Sequence, residues 1–242
     1  MRTPLLVAAM AATTLLHLDA RAYCQDKRPT HLHEAESLVR RLNLKNTDYR
    51  HGEPEVIWDG ASAASHADCS GFIDALLIRS YGYNKEDFKS WFGKSRPTAA
   101  NYHDAIVTQK GFSRIERPQD VREGDFLAVK YLVLKENTGH VMLAAGAAKR
   151  MDAQQPVIAG TIQWELKVID SSESGHGITD TRHHKGENNK DHTGLGAGVL
   201  RIYSHDNGQI AGWSWSTLKV SEFKQPKDEH LVIGRLLSNH KP

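Results

Sequence analysis

The sequence predicts an α+β fold in which N-terminal helices pack on an antiparallel β-sheet. Two periodicities carry this reading. In the first half apolar side chains recur three and four positions apart, the helical interval. From residue 126 onward they alternate between turns rich in Gly, Asn and Asp, the strand interval. Length sets the third bound: 242 residues, 39% of them hydrophobic, can bury one sizeable core and suit a single domain over residues 23–242.

Taken in order, Met1-Arg2, an apolar run from Pro4 to Leu16 and Ala20-Arg21-Ala22 match the three parts of a secretory signal over residues 1–22, with cleavage after Ala22. No other stretch approaches about 18 apolar residues. The mature chain is therefore expected to be secreted or periplasmic, with no stable membrane span. Ala35, Leu38, Val39 and Leu42 give His33–Leu44 one apolar helical face. Lys45 to Glu55 is rich in turn residues, and Val56-Ile57-Trp58 is a short apolar approach to a flexible loop of small residues, 59–65, that leaves space for a ligand. Phe72, Ile73, Leu76 and Leu77 fall on one helical face, and Gly82 stops that helix. Phe88, Trp91 and Phe92 are packing anchors ahead of a short helix at 99–109. Strands are expected at 126–134, 140–145 and 161–170, then at 199–203 and 210–215 across the hairpin turn Asp206-Asn207-Gly208, and last at 230–237.

A charge balance of 31 basic against 29 acidic residues lacks the footprint of a nucleic-acid binder. The chemistry centres on Cys69, which opens the second helix. Unpaired N–H groups and the partial positive charge of a first helical turn favour a thiolate, so a cysteine there can be a nucleophile. In an exported chain the competing reading is a disulfide with Cys24; Cys24, however, sits in the tail beside the cleavage site and reads as dispensable. A base must be found among fourteen histidines. Alternation puts His140, Met142 and Ala144 on one strand face, and Trp164, Leu166, Val168 and Asp170 on one face of a later strand. If the two strands are antiparallel hairpin partners, His140 lies beside Asp170, and a carboxylate there orients the imidazole toward the sulfur. Asp68 is placed as a helix N-cap. His176, His183, His184 and His192 lie in a Gly-, Asn- and Lys-rich stretch, 174–198, without a recognised metal-ligand spacing. That stretch reads as a solvated loop that could overhang the site. No cofactor is expected.

Asp68-Cys69-Ser70-Gly71-Phe72, the Gly124-Asp125 strand opening, Gly139-His140-Val141 and Val168-Ile169-Asp170-Ser171-Ser172, in that order, resemble the NlpC-type family of papain-like cysteine peptidases acting on bacterial cell-wall peptides. The resemblance spans residues 56–172. It implies a papain-like fold with Cys69 as nucleophile, His140 as general base and Asp170 as third polar residue, a place the family more often fills with histidine. It also implies that Asp68 and Ser70 hold the amino end of a peptidoglycan peptide, that Trp58 borders the substrate, and that the Cys69 backbone N–H serves the oxyanion hole. Val56 stands where the family commonly has tyrosine, and Asp59 where glycine is usual, so the family's usual scissile bond is not carried over. An amidase cutting the sugar-to-peptide link, an acyl transferase, or a non-catalytic cell-wall-binding protein remain alternatives on the same scaffold.

Overall fold

Helices form first along the chain, each where an apolar face coincides with a cap. The computed structural model describes residues 28–60, 62–133, 137–183, 192–238 and 240. The expected signal segment, Cys24 and His184 lie outside them. Helix α1 (Thr30–Arg41) buries Leu32, Ala35 and Leu38 and so begins three residues earlier than the periodicity suggested. Helix α2 (Cys69–Tyr81) is bounded as expected. The Asp68 carboxylate accepts the Gly71 N–H at its start, and Gly82 adopts left-handed backbone at its end, with φ of 70° and its N–H on the Ile78 carbonyl. Phe72, Ile73, Leu76 and Leu77 are fully buried, each burial stabilising by about 1.5–3 kcal/mol. Helix α3 (Lys85–Phe92) starts with a capping box from Asn84 and Asp87 and buries Phe88 and Trp91. Helix α4 (Ala99–Val107) stops two residues short of the expected end.

Short strands β1 (Thr47–Asp48), β2 (Glu55–Ile57) and β3 (Ala64–His66) form a small sheet in the order β1-β3-β2. The end of the expected flexible loop is therefore a central strand, held by β1 and β2 on either side. The main sheet contains β4 (Phe112–Ile115), β5 (Phe126–Tyr131), β6 (Gly139–Ala144), β7 (Lys149–Met151), β8 (Ile162–Ser172), β9 (Gly194–Ser204), β10 (Ile210–Ser214) and β11 (Glu229–Leu236). Its order is β10-β9-β8-β6-β5-β11-β4, with β7 added beside β8, and its pairings are antiparallel. The molecule is thus a mixed α+β protein with four helices and a large antiparallel sheet among its described residues.

Alternation gives this sheet two apolar faces. Phe126, Ala128, Val141, Leu143 and Ile169 pack with the helices. Leu127, Val129, Met142, Ala144, Leu166 and Val168 form a second core with Trp213. Strand β10 touches β11, so the sheet curls around this second core.

One expected pairing is corrected. Strands β6 and β8 are neighbours but not a hairpin, because β7 intervenes and pairs with β8 at Gln163–Glu165. The β6–β8 contacts are Leu143 opposite Ile169 and Ala144 opposite Val168. That register continues to place Asp170 across from Met142, so His140 reaches it on the diagonal.

Gly139 makes the turn into β6 possible. Its φ is 140°, and an added Cβ would lie 1.9 Å from the Val129 carbonyl oxygen. Gly139→Ala should therefore destabilise the fold by about 3 kcal/mol or more in urea denaturation, since neither the backbone angle nor the ladder neighbour can yield cheaply. A loss below about 1 kcal/mol would show that β6 can shift in register without consequence.

Candidate active site

Local rules place the sulfur. Asp68, in extended backbone, caps α2 and makes Cys69 its first residue. Cys69 is a free thiol and only 5% exposed. The hydroxyl of Ser171 on β8 donates to the carbonyl of Ala67 at 2.6 Å, which ties the strand carrying Asp170 to the residue just before the cap. The helix start and the sheet are thereby fixed to each other.

His140, second in β6, donates from Nε2 to Asp170 Oδ2 at 2.6 Å. The Cys69 sulfur acts on the same ring and raises its affinity for a proton. The three residues expected to act together thus lie in one region, with Cys69 and His140 5% exposed and Asp170 sealed from solvent. Burial disfavours an imidazolium at His140, but the Cys69 sulfur and the Asp170 carboxylate outweigh it and lift the ring to about 10.

Asp170 is held by more than His140. Its Oδ1 accepts from Arg182 Nη2 at 2.9 Å, while His176 Nε2 lies 3.2 Å from its Oδ2. Burial alone would favour the protonated acid; Arg182 first, then His176 and His140, reverse this and keep the carboxyl well below its usual range. Arg182 also forks onto Asp180, with Nε to Oδ1 at 2.8 Å and Nη2 to Oδ2 at 2.7 Å. Its Nη1 donates to Ser172 Oγ and to the Gly194 carbonyl. His176 donates from Nδ1 to the Trp215 carbonyl at 2.6 Å and stacks on the Trp215 ring, centroids 4.3 Å apart. The same indole meets His140 edge-on at 5.1 Å. Trp215 thus separates and braces the two imidazoles.

This network corrects the reading of residues 174–198 as a solvated loop. His176 and Arg182 are each 1% exposed and Asp180 4%, all folded behind Asp170. His183 and His192 make contacts of their own. Among the described residues no group of three or more His, Cys, Asp and Glu side chains is placed to hold a metal ion. Sequence reasoning missed His176, Asp180, Arg182 and Trp215 as a set. The available signal was the closeness of His176, Asp180 and Arg182 to the end of β8.

Asp68 and Ser70, two of the residues expected to bind substrate, flank Cys69 at the start of α2. Asp68 Oδ1 accepts from the Gly71 N–H and the Ser70 hydroxyl, and Oδ2 accepts from Arg96 Nη2 at 3.0 Å with His51 Nδ1 at 3.3 Å. Its oxygens and the Ser70 hydroxyl are engaged within the protein. Trp58 is 8% exposed, donates from Nε1 to the Glu34 carbonyl, and lines a different cavity from the one beside His140. The cleft beside His140, about 350 Å³, is bordered by Tyr49, His51, Tyr131, Glu173, Trp215 and Lys224.

Comparison with known proteins gives one informative result. The chain is 32% identical over 222 residues to an uncharacterized protein of Acanthamoeba polyphaga mimivirus, an alignment covering 86% of this chain and 96% of the viral one. No family model matches the chain, and no solved structure matches it. The chain belongs to the same family as this viral protein.

Proposed function

We propose that this member of that family is an exported, papain-like cysteine hydrolase of the NlpC type that cleaves amide bonds in peptidoglycan stem peptides. The observation that carries the reading is the imidazole of His140 bonded to a sealed carboxylate and raised by the sulfur of a free cysteine at a helix start. With His140 lifted to about 10, the ring carries its proton through the neutral range, and the reacting form of Cys69 is the thiolate beside it. The thiolate attacks the amide carbonyl carbon, and the carbonyl electrons move to oxygen. The Cys69 backbone N–H, in the first turn of α2 where helices offer no internal acceptor, donates to that oxyanion. His140 then passes its proton to the departing amine as the C–N bond breaks, leaving a thioester. Water attacks the thioester, His140 takes a proton from it, and the sulfur leaves as thiolate with the acid product. Asp170 keeps the ring in the tautomer and orientation this cycle requires.

The direct test is digestion of purified peptidoglycan with the wild type and with Cys69→Ala, followed by mass spectrometry. New amino termini within stem peptides, absent with Cys69→Ala, are expected. Release of whole stem peptides from the sugar would instead assign an amidase, and no product at all would leave a binding protein.

His176 acts on this cycle through Asp170. His176→Phe keeps a ring stacked on Trp215 but removes the imidazole nitrogen 3.2 Å from the carboxylate, and hydrolysis should fall about tenfold to a hundredfold. In an Asp170→Asn background the same change should cost little further, because the two act through one contact. Full additivity in that double-mutant cycle would assign His176 to packing alone.

A further inference from the structure

His103 on α4 and His230 on β11 join the helices to the sheet through their rings, with His103 Nε2 3.0 Å from His230 Nδ1 and the ring centroids 5.0 Å apart. Neither ring takes part in the chemistry at Cys69. The other nitrogen of His103, Nδ1, lies 2.9 Å from Asp104 Oδ1, and Lys130 Nζ donates to both oxygens of that carboxylate at 2.8 and 2.7 Å. A carboxylate held by a lysine only accepts, so His103 Nδ1 carries a hydrogen. His103 is 5% exposed and His230 half-buried. Tyr102, just before His103, is sealed from solvent and donates to Asp74 on α2 at 2.6 Å, so a movement of α4 reaches the helix that begins at Cys69.

The hydrogens available at this contact limit its charge. A bond between two ring nitrogens holds one hydrogen: either His230 Nδ1–H donates to a bare His103 Nε2, or His103 Nε2–H donates to a bare His230 Nδ1. The first form suits a neutral pair or an imidazolium at His230, and the second an imidazolium at His103. Two imidazoliums put a hydrogen on both facing nitrogens, and the bond is lost. The contact therefore tolerates one positive charge on the pair and not two. Lys130 from β5 and Arg114 from β4 oppose a second charge, against Asp104 on α4 and Glu116 at the small cavity beside His230. Glu229, next to His230, is itself held by Lys224 at 3.4 Å. Burial and these cations lower His103 despite Asp104, while burial, His103 and Arg114 lower His230.

We propose that His103 and His230 form an acid-released latch: their hydrogen bond fastens α4 to β11 at neutral pH, and a second proton taken up by the pair as pH falls toward about 5 breaks it and frees α4 from the sheet. The latch does not rest on the hydrolase reading and is measured without activity. Each ring's folded value lies below its unfolded value near 6.5, so the pair's contribution to stability is full above that pH and is lost as pH falls through the folded values. Full-length wild type and His230→Gln are unfolded in urea between about pH 7 and about pH 5. A glutamine amide turns to donate or accept, so it meets His103 in either protonation state and removes the switch. Groups elsewhere, the buried His31 among them, titrate alike in both proteins. Over that range the wild-type folding equilibrium constant should fall at least about tenfold more than that of His230→Gln. Amide exchange read by mass spectrometry, corrected for the pH dependence of the intrinsic rate, should quicken at the lower pH over Ala99–Val107 in the wild type and not in the variant. His103→Gln should match His230→Gln. The same pH dependence in the wild type and both variants, or exchange that quickens equally across the sheet, would overturn the proposal.

Discussion

His140→Ala should slow alkylation of Cys69 by iodoacetamide at pH 7 about a hundredfold and reduce hydrolysis to background. His140 is lifted to about 10, against burial, by the Cys69 sulfur and Asp170, which places the proton on the ring throughout the neutral range. Removing the ring leaves a 5%-exposed sulfur with no cation beside it, and an unpaired buried anion reverts to its neutral form. The pH dependence separates this from a general loss of structure. Between about pH 7 and 9 the His140 ring stays protonated, so the wild type should keep its rate advantage over a folded variant across that range. Stability runs the other way. The folded value of His140 lies above its unfolded value near 6.5, so its contribution is full below that pH and is lost as pH rises through about 10. Equal alkylation rates in the two proteins, followed by intact mass, would mean that His140 does not act on the sulfur.

Cys69 and the elements around it were legible because their causes are local. An Asp before a cysteine, a glycine two residues on, apolar residues at helical spacing and a terminal Gly82 are all one helix with its caps. His140 and Asp170 were legible by alternation, yet the supposed geometry was too simple. A direct hairpin would have set them opposite each other, whereas β7 pairs with β8 at Gln163–Glu165 and His140 and Asp170 meet diagonally. The insertion of β11 between β4 and β5 left no local trace, since both partners lie at least 98 residues away in sequence by their registers, as with Leu231 beside Val129 and Ile233 beside Ile115. Arg182 and His176 were hidden for a different reason. A polar, Gly-rich stretch is what a solvated loop looks like, and only the fold shows that buried carboxylates of Asp170 and Asp180 are there to receive it.

Arg182→Met tests that last point and should produce the largest loss of stability of any single change here, about 3–5 kcal/mol. Methionine fills much of the volume but removes a guanidinium that is 1% exposed and bonded to both Asp170 and Asp180. Two explanations of such a loss are separable by pH. In the wild type Asp170 is held well below its usual range, so its contribution to stability is present above the unfolded value near 3.9 and is lost only as pH falls through a still lower folded value. In the variant the same buried carboxylate lacks its strongest partner and should take up a proton at higher pH. The gap between the two proteins, measured by urea denaturation, should therefore be widest near pH 7 and narrow as pH falls toward 4. A gap that stays constant over that range would assign the loss to packing rather than charge, and Arg182 would then have no part in keeping Asp170 ionised for His140.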